Sequence, residues 1–84
     1  MNKNEFSHNL LTFIRSSLLK DYKKKINKRT LLFQDGLINS MKIIELIAYI
    51  EKALNIEIKE DKISMEYFGS VEKIANTFLT DENK

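Results

Sequence analysis

With 84 residues the chain has room for one domain, and a domain of that size buries only roughly 60–65% of the surface its unfolded chain exposes. A hydrophobic content of 43% suffices for one core; the absence of cysteine excludes disulfides and thiolate metal sites, and a lone histidine, His8, argues against an imidazole metal site. The net charge of +2 hides an asymmetry, because residues 15–29 hold seven cations against Asp21, for +6, whereas residues 36–84 hold six lysines against nine acids, for −3.

Proline is absent and glycine stands only at Gly36 and Gly69, so little interrupts long helices and an all-α domain is predicted. Phe6, Leu10, Phe13, Ile14, Leu18 and Tyr22 recur at helical spacing, broadened by Leu11 and Leu19. They predict a first helix over about residues 3–22, with lysines collecting at the C-terminal end that the helix dipole favours for cations. From Lys23 to Asn39 the period is lost. A loop this long in so small a domain is functional or pinned by its own apolar residues, and Leu31, Leu32 and Phe33 are placed to pin it.

The second helix is predicted over 39–54, starting at Asn39 or Ser40, both good N-cap types. Met41, Ile43, Ile44, Leu46, Ile47, Ala48, Ile50, Ala53 and Leu54 make it too broadly apolar for one wet face and one dry face. It is expected at the centre, touching several neighbours and a ligand or partner. Asn55 ends it. Ile56-Glu57-Ile58 alternates as a strand does, but with no partner strand its backbone would go unsatisfied, so no strand is predicted. A short third helix is expected over 63–68, broken by Gly69. Ser70 then caps a last helix over 70–79 that places Val71, Ile74, Ala75, Phe78 and Leu79 on one face, and residues 80–84 read as a frayed, disordered tail. No run has the length of a membrane span or the pattern of a signal peptide, so the expected location is the cytoplasm.

Ser40 stands out within Asp35-Gly36-Leu37-Ile38-Asn39-Ser40-Met41-Lys42, a hydroxyl after a glycine turn where an apolar helix begins. The plain reading is that it caps the helix. Gly36-Leu37-Ile38-Asn39-Ser40-Met41, Ile44-Glu45-Leu46-Ile47 with Ile50-Glu51 beyond, and Phe68-Gly69-Ser70-Val71 leading into Ile74-Ala75 together resemble the acyl carrier protein family. The likeness covers roughly residues 30–79; residues 1–29 agree only as a helix and a loop. It implies a single carrier domain over 1–84, an acyl-carrier-like four-helix bundle with three longer helices, a short third one and a long first loop. It also implies that Ser40 bears 4′-phosphopantetheine, transferred from coenzyme A by a phosphopantetheinyl transferase. In the family an aspartate precedes this serine and a leucine follows it. Here Asn39 and Met41 stand in those places, the methionine close to leucine in volume, the asparagine retaining capping ability but losing a charge that helps the transferase dock. Slower modification, or a tolerant transferase, is expected.

The resemblance further implies a monomeric, non-catalytic carrier that holds an acyl or aminoacyl group as a thioester. An adenylating enzyme or acyltransferase would load it, and a downstream synthase or transferase would unload it. The partner-docking candidates are Asn39, Met41, Ile44, Glu45, Ala48, Glu51 and Met65, each of the apolar ones being equally a candidate for core packing. Lys42 and Lys52 mix with Glu45 and Glu51 on the second helix, so steering toward strongly basic partners is weak. That points to a specialised fatty acid, polyketide or nonribosomal peptide pathway rather than housekeeping fatty acid synthesis. Two alternatives remain open: a carrier-fold interaction module without the prosthetic group, and a small basic helical domain that binds nucleic acid through residues 15–29. The latter segment has no recognition helix and only Tyr22 to stack on a base, so no nucleic-acid partner is expected. No acid, base and nucleophile set suggests catalysis, and no metal ligands converge.

Overall fold

A computed structural model of the chain describes residues 2–22, 24–33 and 37–79, without the side chain of Met65. The turn at Gly36 and the tail expected over 80–84 lie outside the described residues. Helix α1 spans Lys3–Phe13 and opens with a capping box, Asn2 Oδ1 accepting from the Glu5 N–H at 2.8 Å while Glu5 Oε1 accepts from the Asn2 N–H at 3.3 Å. Its buried row, Phe6, Leu10, Ile14 and Leu18, advances strictly by four residues. In a helix of 3.6 residues per turn such a row drifts by about 40° per step. The chain corrects this by continuing as a wider π-helical segment over Ile14–Leu18, closed by the Leu19 N–H donating to the Ile14 carbonyl at 2.8 Å.

The helix therefore stops at Leu18 and not near residue 22. Leu18 and Leu19 are both buried, at 4% and 6% exposure, and the backbone leaves the helix between them, turning at Leu19 (φ −122°, ψ 35°). Lys20 and the cations after it consequently sit on the following loop, off the helix end. That loop is anchored by Ile26, Leu32 and Ile38, all buried. Of the three residues expected to pin it, Leu32 is fully buried, Phe33 is half-buried and Leu31 is 51% exposed. Backbone bonds complete the anchoring. The Leu32 N–H donates to the Gly69 carbonyl at 2.8 Å, the Ile38 N–H to the Leu32 carbonyl at 2.9 Å, and the Glu72 N–H to the Lys28 carbonyl at 2.9 Å.

Helix α2, Ser40–Leu54, buries Leu46 and Ile50 and half-buries Ile43, Ile47, Tyr49, Ala53 and Leu54 to either side, so its dry face is wide but not continuous around it. It ends at Asn55, in the left-handed region (φ 55°), where asparagine is among the few residues that settle readily. Residues 56–58 form no strand. The Ile58 N–H, which a strand would pair with a neighbour, donates to Glu51 Oε2 at 2.8 Å. A single 3-10 turn over Glu60–Lys62 precedes α3, Met65–Phe68, which is shorter than the 63–68 expected because Ile63 (φ −94°, ψ 84°) interrupts it. Helix α4, Val71–Phe78, is capped by Ser70, whose Oγ accepts from the Lys73 N–H at 3.2 Å.

The described residues are helical or irregular, with no strand among them, and one core joins every helix. Helix α4 packs on both α1 and α3, and α2 packs on the π-helical end of α1. Phe13 stacks on Tyr49 with ring centroids 4.2 Å apart, linking α1 to α2, and Phe68 meets Phe78 edge to face at 5.6 Å. No described helix is long and apolar enough to cross a membrane. In urea denaturation, Leu32→Ala is expected to cost about 2–5 kcal/mol for a buried leucine, and Leu31→Ala to stay within about 0.5 kcal/mol of the parent. Equal losses would contradict this anchoring.

Candidate functional site

The start of α2 divides the labour between two residues that both suit a cap. Asn39 is the N-cap: extended (φ −97°, ψ −175°), its Oδ1 accepts from the Met41 N–H at 3.1 Å and the Lys42 N–H at 3.0 Å, and its carbonyl accepts from the Ile43 N–H at 2.9 Å. Ser40 is thereby the first helical residue. It is exposed, and its Oγ has no hydrogen-bond partner among the described residues. The plain alternative, that Ser40 merely caps the helix, does not hold, since Asn39 fills the cap.

Around Ser40 the exposed side of α2 carries large apolar groups with nothing over them. Met41 is 75% exposed and Ile44, one turn on from Ser40, is 67% exposed. Glu45 and Ala48 are exposed too, so four of the docking candidates share the solvent side of α2 with the serine. Core packing, the other reading of Met41, Ile44 and Ala48, is excluded; the core takes Ile43, Leu46, Ile47 and Ile50. Asn39 is exposed but its side-chain oxygen is committed to the backbone. Glu51 departs from the group: it is half-buried, and its carboxylate receives the Ile58 N–H, which makes it a fastening for the segment after α2. The Met65 side chain lies outside the described residues.

Local charge is mixed. Glu45 is exposed beside half-buried Lys42, which with Leu37 lines a concavity of about 440 Å³ between the end of α1 and the start of α2; Ser40 is not among its lining residues. Among the described residues no three histidine, cysteine or carboxylate side chains converge as metal ligands. The phosphodiester of the arm implied for Ser40 fits this helix end in part. The dipole favours an anion there, but Asn39 already satisfies the Met41 and Lys42 N–H groups, so a phosphate would meet the field of the helix more than its free donors.

Two fastenings were not foreseen, Glu51 to Ile58 and the Arg15 Nη2 donating to the Ile26 carbonyl at 3.2 Å. Each joins residues several turns apart, and no local spacing signals it. No protein-family model matches the chain, and no curated protein matches its sequence. The likeness to acyl carrier proteins accordingly rests on the residues quoted for it. Asn39→Ala is expected to lose about 0.5–2 kcal/mol in thermal or chemical denaturation, as cap removal does. Ser40→Ala is expected to change stability by no more than about 0.5 kcal/mol, alanine being the better helix former at an exposed site. A larger loss for Ser40→Ala than for Asn39→Ala would show the serine to be the cap after all.

Proposed function

We propose that the chain is a carrier domain, an acyl-carrier-like four-helix bundle that holds an acyl or aminoacyl group as a thioester on 4′-phosphopantetheine attached to Ser40. The observation that carries this reading is the exposed Ser40 hydroxyl, without a hydrogen-bond partner among the described residues, on a helix whose cap is supplied by Asn39. With the cap supplied by Asn39, the Ser40 side chain is not required for the helix end, and its exposure suits presentation to another enzyme.

The arm supplies the thiol on which the thioester forms, which a chain without cysteine otherwise lacks. The chain's own part is to present. Ser40 Oγ attacks the pyrophosphate of coenzyme A, its proton passes to a base of the transferase, and adenosine 3′,5′-bisphosphate leaves. No base on the carrier is required. Met41 and Ile44 give partner enzymes an apolar rim beside the attachment point, and Glu45 contributes one anionic contact. With Asn39 neutral and Lys42 close by, that rim binds by shape and apolar burial more than by long-range attraction, which suits one dedicated loading enzyme and one downstream synthase or transferase in a specialised pathway.

Incubated with coenzyme A, magnesium and a broad-specificity phosphopantetheinyl transferase, the protein is expected to gain one phosphopantetheinyl mass, and Ser40→Ala none. Asn39→Asp, which keeps the cap and restores a charge, is expected to raise the transferase kcat/KM by about tenfold, the rate equivalent of ~1.4 kcal/mol for a charge-assisted contact. A folded protein that takes up no mass would leave an interaction module without the arm. Uptake by Ser40→Ala would move the attachment elsewhere.

A further inference from the structure

The basic segment after α1 has no part in the carrier reading, yet it encloses a cleft of about 460 Å³. Arg15, Lys20, Lys24 and Lys25 bring four cations to this cleft, Leu19, Tyr22 and Ile26 supply its apolar lining, and no acidic side chain among the described residues lines it. Its volume falls in the range of small-molecule sites. Arg15 is fixed in place: it rises from the π-helical segment and donates from Nη2 to the Ile26 carbonyl at 3.2 Å, which holds guanidinium and apolar wall in one arrangement. A π-helical turn is itself a feature that recurs at functional sites.

Burial decides what kind of anion fits. Leu19 and Ile26 are only 6% and 4% exposed, so they cannot insert into a lipid layer, and the lysines surround a recess, not a flat face. Tyr22 is 37% exposed and offers a ring surface at that recess. An anion with a planar aromatic part satisfies both features. We propose that this cleft binds a nucleotide, its phosphates against Arg15, Lys20, Lys24 and Lys25 and its base against Tyr22. The site is independent of any modification of Ser40.

Isothermal titration calorimetry at low ionic strength, with ATP, inorganic triphosphate and adenosine as probes, tests it on the full chain. ATP is expected to bind, triphosphate to bind about tenfold more weakly for want of a stacking base, and adenosine not to bind detectably. Tyr22→Ala should abolish the advantage of ATP over triphosphate. Lys24→Glu with Lys25→Glu should weaken ATP by at least about tenfold, and Lys59→Glu with Lys73→Glu, exposed lysines away from the cleft with the same change in net charge, should leave it within about twofold. The proposal is overturned if ATP shows no binding at millimolar concentration, if the two lysine pairs weaken it equally, or if the parent protein does not distinguish ATP from triphosphate. Binding to phosphatidylglycerol vesicles that ATP does not displace would also overturn it, by making the segment a membrane contact.

Discussion

The hydrogen bond from the Leu32 N–H to the Gly69 carbonyl, 2.8 Å long, ties the segment between α1 and α2 to the junction between α3 and α4. Leu32 is fully buried, so its side chain and its peptide group fix the same point twice over. Its own carbonyl receives the Ile38 N–H, and Ile38, also buried, immediately precedes the Asn39 cap. A continuous path of backbone bonds thus runs from Gly69 through Leu32 to Ile38, the residue before the α2 cap. Breaking it would leave polar groups with no partner in an apolar core, at about 1–3 kcal/mol for each. The second tie, Glu72 to Lys28, holds the same loop to the first turn of α4. Where α2 starts, and hence where Ser40 stands, follows from this path together with the Asn39 cap.

Once α2 is placed, its first turn needs an acceptor for its unpaired N–H groups. A hydroxyl that accepts from the backbone is held in one rotamer against the helix end, which restricts its presentation to an enzyme. Asn39 resolves the conflict by accepting from two N–H groups with one carbonyl oxygen. Asparagine does so without charge, so the positive end of the helix dipole is left uncompensated by the cap. In the proposed carrier, asparagine where the resembled family has aspartate keeps the capped geometry beside Ser40. What changes is the electrostatic welcome for a basic partner. The exposed Met41 and Ile44 supply a different attraction, short in range and indifferent to salt.

Much of this could be read from sequence, and the reasons differ by element. The all-helical class followed from the missing proline, the two glycines and the three- and four-residue spacings. Ser70 was legible as a cap because the apolar period restarts directly after it. The end of α1 was not, since Tyr22 fits the helical period as well as Leu18 does, yet the backbone turns at Leu19 and leaves Tyr22 37% exposed. The same limit applied to Leu31 and Leu32, adjacent leucines of which one points inward. On α2 nine apolar residues left the wet side undefined. Packing against the π-helical segment, α1 and the rest of the core decided that Ile43, Leu46, Ile47 and Ile50 go in and Met41 and Ile44 stay out. Glu51, read as a docking acid, turned out to hold the Ile58 N–H, a contact across seven residues that carries no sequence signature.

The basic segment shows how one stretch can serve the fold and remain open for binding. Arg15 braces Ile26, and Arg29 approaches Glu72 at 3.7 Å in an exposed pair that adds little stability, while the lysines around the cleft are held by the loop that the Leu32 anchor fixes. The central claim nevertheless concerns Ser40. Its most direct test is peptide-level mass spectrometry of the protein purified from the cells that naturally make it, reading the peptide that contains Ser40. The account predicts that this peptide carries a phosphodiester-linked, thiol-ended arm on Ser40; recovery of the peptide only in unmodified form from folded protein would contradict it.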